Sequence, residues 1–320
     1  MHQELKGWLE WLGMEAPVLT ALHGDASGRR YYRLENHAKK LMVMDASDEK
    51  ASVPIFIGVG WRLMDAKVRI PTIRAYELNK GFILLEDVGS THLFDFGALD
   101  NPSVYYEKAI KTLVQMQETP SKGLEPYDQS FLLNEMNLML EWYLKAHLGQ
   151  KVECVEGRTL LSAFMLISKE VLAQPQETFV HRDYHAKNLM IDSEDEIVVI
   201  DFQDAREGGI TYDLVSLLQD AYVLLDARER NRLIKFYKEL KGIEVDEETF
   251  MRWFDFTGLQ RHIKILGIFA RLSIRDGKDA YLDNIPLVLQ YILEVAQKYP
   301  ELQGLVALLT LEEQDSVGFF

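Results

Sequence analysis

The sequence predicts an α+β protein in two parts, a small antiparallel β-rich N-terminal lobe followed by a larger helical lobe. Three observations predict it. Strand-like runs and turn signals crowd the residues before Val88, helical periodicity takes over from Asn101, and 320 residues exceed what one core of ordinary size needs. With 48% hydrophobic and 27% charged residues, the composition is that of a globular chain. The division is placed between residues 88 and 89, and the two lobes are expected to enclose a cleft.

Each element follows from its residues. Met1–Leu12 mixes acids with apolar residues and reads as a short amphipathic helix; it lacks the basic flank and continuous apolar run of a signal peptide. Arg29–Glu35 and Lys40–Asp45 are strand-like, joined by the turn-forming Asn36–Lys39. Pro54–Ala66 suits a helix. Ile73–Leu78 and Gly81–Val88 flank Asn79-Lys80-Gly81, the pattern of a hairpin. Asn101 as N-cap, with Pro102 in the first helical position, opens a helix through Tyr105–Gln117. Asp128–Leu148 carries Phe131, Leu132, Met136, Met139, Leu140 and Tyr143 near helical period. Gly157–Ala173 is a further helix. A β-island follows, Phe179–His181, Leu189–Asp192 and Ile197–Phe202, with the acidic Ser193–Glu196 as a solvated hairpin loop. Helices resume at Tyr212.

Charge and cysteine content exclude several function classes. Thirty-five Lys and Arg against 50 Asp and Glu leave a net charge of −15, the wrong sign for coating nucleic acid. Cys154 is the single cysteine, so no intramolecular disulfide can form, which suits a reducing compartment. No stretch approaches the ~18 consecutive apolar residues that span a bilayer. A cytoplasmic protein with a small-molecule substrate, and without nucleic-acid or membrane partners, is expected.

The chemistry is concentrated in His181-Arg182-Asp183-Tyr184-His185-Ala186-Lys187-Asn188 and, after the apolar Val198-Val199-Ile200, in Asp201-Phe202-Gln203. This pairing suits phosphoryl transfer, which needs positioning and charge neutralisation more than covalent help. One carboxylate, Asp183, can face an incoming hydroxyl and accept its proton. A second, Asp201, can hold Mg²⁺ against a triphosphate, and Asn188 offers an amide oxygen for the same hard ion. The loop from Asp183 to Asn188 and the hairpin returning Asp201 are expected to bring all three to one end of a sheet.

The first segment fits H-R-D-x-x-x-x-N, and the H-x-D-x-H-x-x-N spacing with a following strand Asp resembles the aminoglycoside phosphotransferase and choline kinase superfamily, of protein-kinase-like fold. His185 stands where protein kinases usually carry Lys, and no A-P-E follows Asp201; both point to a small-molecule acceptor. Further segments, Gly24–Arg33, Leu41–Ala46, Asp201–Ala205, Ile210–Leu218, Gly258–His262 and Leu266–Arg271, resemble the bacterial N-acetylmuramate/N-acetylglucosamine anomeric kinases. That resemblance implies ATP and Mg²⁺ as co-substrate and cofactor, and a sugar phosphorylated at its C1 hydroxyl in cell-wall recycling. Choline, amino alcohols, other sugars and antibiotics are the alternative acceptors; a nucleotide-binding pseudokinase is the alternative without chemistry.

Other sites follow with less constraint. Gly24, Ser27 and Gly28 permit either a plain hairpin turn or a loop whose N–H groups cover phosphates. The strand Lys and helix Glu that hold the phosphates in protein kinases are both missing, so Arg29, Arg30 and Arg33 are either ordinary surface arginines or the source of the cation instead. By the resemblance, Glu86 and Val88 offer their main chains to adenine. Gln203 and Asp204 could contact sugar hydroxyls. His185 could orient the loop or approach the acceptor. Asp213 is either a helix N-terminal charge or a brace for the catalytic loop. Arg261, His262, Lys264, Arg271 and Arg275 form either a solvated basic face or a site for an anionic sugar substituent.

Overall fold

In chain order the elements of this computed structural model are α1 (His2–Trp11), β1 (Leu19–Leu22), β2 (Arg30–Leu34), β3 (Leu41–Asp45), α2 (Ser52–Asp65), β4 (Ile73–Glu77), β5 (Phe82–Glu86), α3 (Leu93–Phe96), α4 (Ser103–Met116), α5 (Gln129–Leu138), α6 (Cys154–Val171), β6 (Thr178–Val180), β7 (Leu189–Ile191), β8 (Ile197–Val199), β9 (Arg206–Gly208), α7 (Tyr212–Leu218), α8 (Ala227–Lys241), α9 (Glu247–Asp276), α10 (Ile285–Ala296) and α11 (Gln303–Ser316). The structure describes residues 2–22, 28–35, 40–96 and 102–316. Gly24, Ser27, the expected turn at 36–39 and the expected cap Asn101 lie outside them. No helix among the described residues is long and apolar enough to cross a membrane.

The chain divides into two compact units: Met1–Pro120 with Lys187–Ala205, and Ser121–Ala186 with Arg206–Phe320. These units are defined by packing alone. The expected α+β class is what the structure has, with the antiparallel sheet toward the N-terminus and the long helices in the second unit.

In the first unit five antiparallel strands take the order β1-β2-β3-β5-β4. Alternation along β3 and β5 sends Leu41, Val43, Phe82 and Leu84 to one face, where they pack with Leu5, Trp8 and Leu9 of α1. Ile83 and Leu85, on the opposite face of β5, are also buried, so this strand is covered on both sides. Helix α4 begins after Pro102, which occupies the capping position one residue earlier than a first-turn proline would. The β7–β8 hairpin pairs Leu189 with Val199 and Ile191 with Ile197, and joins this unit by Val199 N–H donating to Arg69 O at 2.9 Å.

The second unit is organised around α9, 30 residues long and buried over most of its middle. Asp246 caps its start by accepting from Thr249 N–H, and Gly277 ends it at φ +66°, a conformation only glycine adopts without cost. A side chain at Gly267 would stand 2.2 Å from the Leu138 carbonyl carbon and 2.5 Å from Met139 N, so α9 passes in backbone contact with the end of α5. At that point the expected helix over 128–148 changes character. Met139–His147 continues with π-helical bonding, a widening of the turn that apolar periodicity does not reveal.

Candidate active site

The second unit holds the segment around Asp183. Strand β6 delivers the chain to His181, and Asp213, in the first turn of α7, accepts the backbone N–H groups of His181 at 2.7 Å and Arg182 at 3.0 Å. Arg182 has φ +78°, a left-handed conformation that a non-glycine residue keeps only when its surroundings enforce it. Its side chain supplies that enforcement: Nε donates to Tyr127 Oη at 2.9 Å and Nη2 to Glu135 Oε1 at 2.8 Å. Glu135 also accepts from Gln260 Nε2 at 2.9 Å and lies 3.7 Å from Lys264 Nζ, which donates to Tyr212 Oη at 2.9 Å. At the far end of the loop Asp220 accepts from Ala186 N–H and from Tyr222 N–H, both at 2.9 Å.

Asp183 is thus carried on a stretch of backbone fixed at both ends. Burial pushes its carboxyl up, but the charges of Lys264, Arg261, His185 and Arg182 outweigh burial and hold it well below the usual carboxylate range. Its carboxylate is still 44% exposed and lies 3.5 Å from Arg261 Nη1. It is an anion throughout the physiological pH range, set to accept a hydrogen bond from an incoming hydroxyl.

The first unit holds the second set of groups. Ile200 N–H donates to Asn188 O at 3.1 Å, so the β7–β8 register sets Asn188 and the start of the Asp201 turn side by side. Asp201 has φ +62°. Its Oδ1 accepts from Gln203 Nε2 at 3.0 Å and stands 3.9 Å from Arg29 Nη1, and its side chain is 48% exposed. Arg29 is itself buried, with Nε 3.8 Å from Glu49 Oε2, while Gly28 N–H donates to Glu49 Oε1 at 3.2 Å. A hard divalent ion that keeps part of its water needs only one or two protein oxygens beside those of a triphosphate, and the Asp201 carboxylate and the Asn188 amide could supply them. Among the described residues no cluster of three or more His, Cys, Asp or Glu offers a richer cage.

The remaining expected residues fall into place unevenly. Arg30 is drawn to Asp45, Asp48 and Ser47, and Arg33 forms a forked pair with Asp87, so of the three arginines it is Arg29 that stands at Asp201. Glu86 donates its N–H to Thr72 O at 2.9 Å, and Val88 is buried at the end of the same stretch. Gln203 is buried and also reaches Asp204 Oδ2 at 3.3 Å, so its amide nitrogen is occupied by carboxylates while Oε1 has no partner among the described residues. His185 packs edge-on to Tyr222, ring centroids 5.3 Å apart. Asp213 is 1% exposed and His262 fully buried, its Nε2 on Gln219 O at 2.9 Å; burial pulls its imidazole down to about 3, so it is neutral. Both sit on backbone groups of their own unit. Glu135 and Glu49 were not foreseen. Glu135 carried a signal, a lone acid on the apolar stripe of Leu132, Met136 and Met139; Glu49 carried none.

Comparison with known proteins places the chain in a family. The chain is 35% identical over 324 residues to an N-acetylmuramate/N-acetylglucosamine kinase of Pseudomonas putida, covering 96% of this chain and 95% of that one. It is 36% identical over 332 residues to the N-acetylmuramate/N-acetylglucosamine kinase of Neisseria meningitidis serogroup B, covering 99% and 98%. Among solved structures it shares the fold of a spectinomycin phosphotransferase crystallised with ADP and spectinomycin, at TM-score 0.61 and 15% identity over 96% of this chain and 98% of that one. Residues 18–254 match the phosphotransferase enzyme family, and the chain belongs to that family.

Proposed function

We propose that this protein is an ATP-dependent kinase that phosphorylates the anomeric C1 hydroxyl of N-acetylmuramate or N-acetylglucosamine, acting in the cytoplasm on sugars recovered from the cell wall. Membership in the phosphotransferase family makes it an enzyme that moves a phosphoryl group to an acceptor hydroxyl. The names of the full-length relatives support the sugar. The observation that carries the reading is the near-full-length likeness to those kinases, together with an exposed Asp183 carboxylate on a braced loop.

Asp183 accepts the hydrogen bond of the C1 hydroxyl, aligns a lone pair on its oxygen with the γ-phosphorus, and takes the proton as the new P–O bond forms and the β–γ bridge breaks. Asn188 and Asp201 would hold Mg²⁺, whose charge offsets that of the triphosphate when bound. Arg29 contributes a cation on the same side as Asp201. The Glu86 carbonyl and Val88 N–H meet the adenine edge, and residues 24–28 cover the phosphates. The division of labour is therefore nucleotide binding in residues 1–88 and catalysis with acceptor binding in residues 89–320.

The test is incubation with ATP, Mg²⁺ and a panel of N-acetylmuramate, N-acetylglucosamine, choline and an aminoglycoside, followed by phosphorus NMR and ADP detection. An anomeric phosphate doublet with either amino sugar is expected. Turnover of choline or the antibiotic with neither sugar consumed would overturn the proposal.

A further inference from the structure

We propose that Arg261 is a positioning residue for Asp183, and that its charge serves the protein's own catalytic carboxylate instead of an anionic group on the sugar. The inference rests on the reading of Asp183 as the group that receives the hydroxyl proton. Arg261 is 2% exposed, so its guanidinium is not offered to solvent. Nη1 donates to the Arg182 carbonyl at 2.5 Å and stands 3.5 Å from Asp183 Oδ1. A single guanidinium nitrogen thus holds the strained peptide immediately before Asp183 and faces the carboxylate it carries.

The residues around it serve the same purpose. Gln260 and Lys264, beside it on α9, both address Glu135, the carboxylate that grips the Arg182 side chain. Asp213 holds the N–H side of residues 181 and 182 while Arg261 holds the carbonyl side of 182. The left-handed Arg182 is therefore clamped from two helices, and the direction of the Asp183 side chain follows from that clamp. In protein kinases a Lys two residues beyond the catalytic Asp supplies a nearby cation; here that position is His185, and the cation comes from α9.

The charged groups that face Asp183 are Arg261 and Lys264 from α9 and Arg182 and His185 from the loop, with Asp213 on α7, Asp220 beyond it and Glu135 on α5 as the acids of the network. Arg261→Met and Arg261→Lys are compared with the wild type and with Asp183→Asn, measuring kcat, both KM values and the pH dependence of kcat. Arg261→Met is expected to lower kcat about 10²-fold, a loss on the scale of a mispositioned general base, with either KM changed less than about threefold. Its acid limb should move up as the carboxylate loses one of the cations around it. Arg261→Lys should keep the acid limb near its wild-type place while recovering only part of kcat; because it retains the buried charge, it carries the test if the Met variant does not fold. A sugar KM raised tenfold or more with kcat and acid limb unchanged would return Arg261 to the acceptor and overturn the inference. Retained turnover in Asp183→Asn would instead remove the reading on which it rests.

Discussion

Asp183 and Asp201 are both half-exposed carboxylates beside left-handed backbone, yet their surroundings differ in kind. Asp183 is served by groups from three other helices: Asp213 of α7 and Glu135 of α5 hold the loop before it, and Arg261 and Lys264 of α9 set its charge. Asp201 is served by its own turn and one arginine, with Gln203 two residues away and Arg29 at 3.9 Å. One site is finished before any ligand arrives. The other leaves a carboxylate to be completed by a cation and a triphosphate, themselves the largest charges it will meet. A preorganised group should act on the rate of the chemical step, and an incomplete one on the binding of what completes it.

The comparison breaks most sharply at the two carboxylates. Asp183→Asn should lower kcat by about 10²–10⁴-fold while leaving the KM for ATP within about threefold. Asp201→Asn should instead raise the Mg²⁺ concentration needed for half-maximal rate, together with the KM for ATP. Steady-state kinetics across a Mg²⁺ titration separates the two patterns. If Asp201→Asn lowered kcat alone at saturating Mg²⁺ and ATP, the two sites would not differ in the way described.

The same contrast explains what could be read in advance. Strands β2 to β5, the β7–β8 hairpin and the Asp183, Asn188 and Asp201 segments are written in short windows, where alternation, turn residues and motif spacing act over a few residues. The network behind Asp183 is not. Glu135 meets Arg182 across 47 residues and Gln260 across 125, and no local pattern announces such a meeting. A run of cations at 261–275 looks like a solvated face because sequence shows charge but not burial; Arg261 and Lys264 are buried, while Arg275 pairs with Asp276 in solvent. The π-helical stretch after Leu138 arises where Gly267 of α9 lies against backbone, a constraint that lives in the partner helix.

A smaller effect sharpens the contrast inside the first unit. Arg29 faces Asp201, whereas Arg30 and Arg33 are committed to Asp45 and Asp48 and to Asp87. Arg29→Ala should raise the KM for ATP about tenfold, the worth of one cation near a triphosphate. Arg30→Ala and Arg33→Ala should leave that KM within about twofold and lower the melting temperature slightly instead. KM values for all three variants equal to that of the wild type would mean that none of them meets the nucleotide.

The smallest effects concern stability, and here the two units should respond to acid with opposite signs. Glu86, held by Arg69 and Thr72 against the cost of its burial, is drawn from 4.5 down to about 2. The stability it contributes is present above pH 4.5 and is lost as pH falls through about 2, on the order of 2 kcal/mol after allowing for partial exposure. Asp213 is pushed by burial from 3.8 up to about 6, despite His181 and the two backbone N–H groups. Its contribution is fully present below pH 3.8 and is lost as pH rises through about 6, because ionising it inside the second unit carries a desolvation cost. Acidification from neutral pH to about 4.5 should therefore favour the second unit before it harms the first. Thermal unfolding across pH, with Glu86→Gln and Asp213→Asn, reads this directly. Glu86→Gln should lower stability at neutral pH and flatten the loss in acid; Asp213→Asn should erase the gain between neutral pH and 4. A wild type whose stability only falls from pH 7 downward, unchanged in slope by Asp213→Asn, would show that the buried carboxylate stays ionised at no cost, and that the preorganisation of the catalytic loop opposes no desolvation.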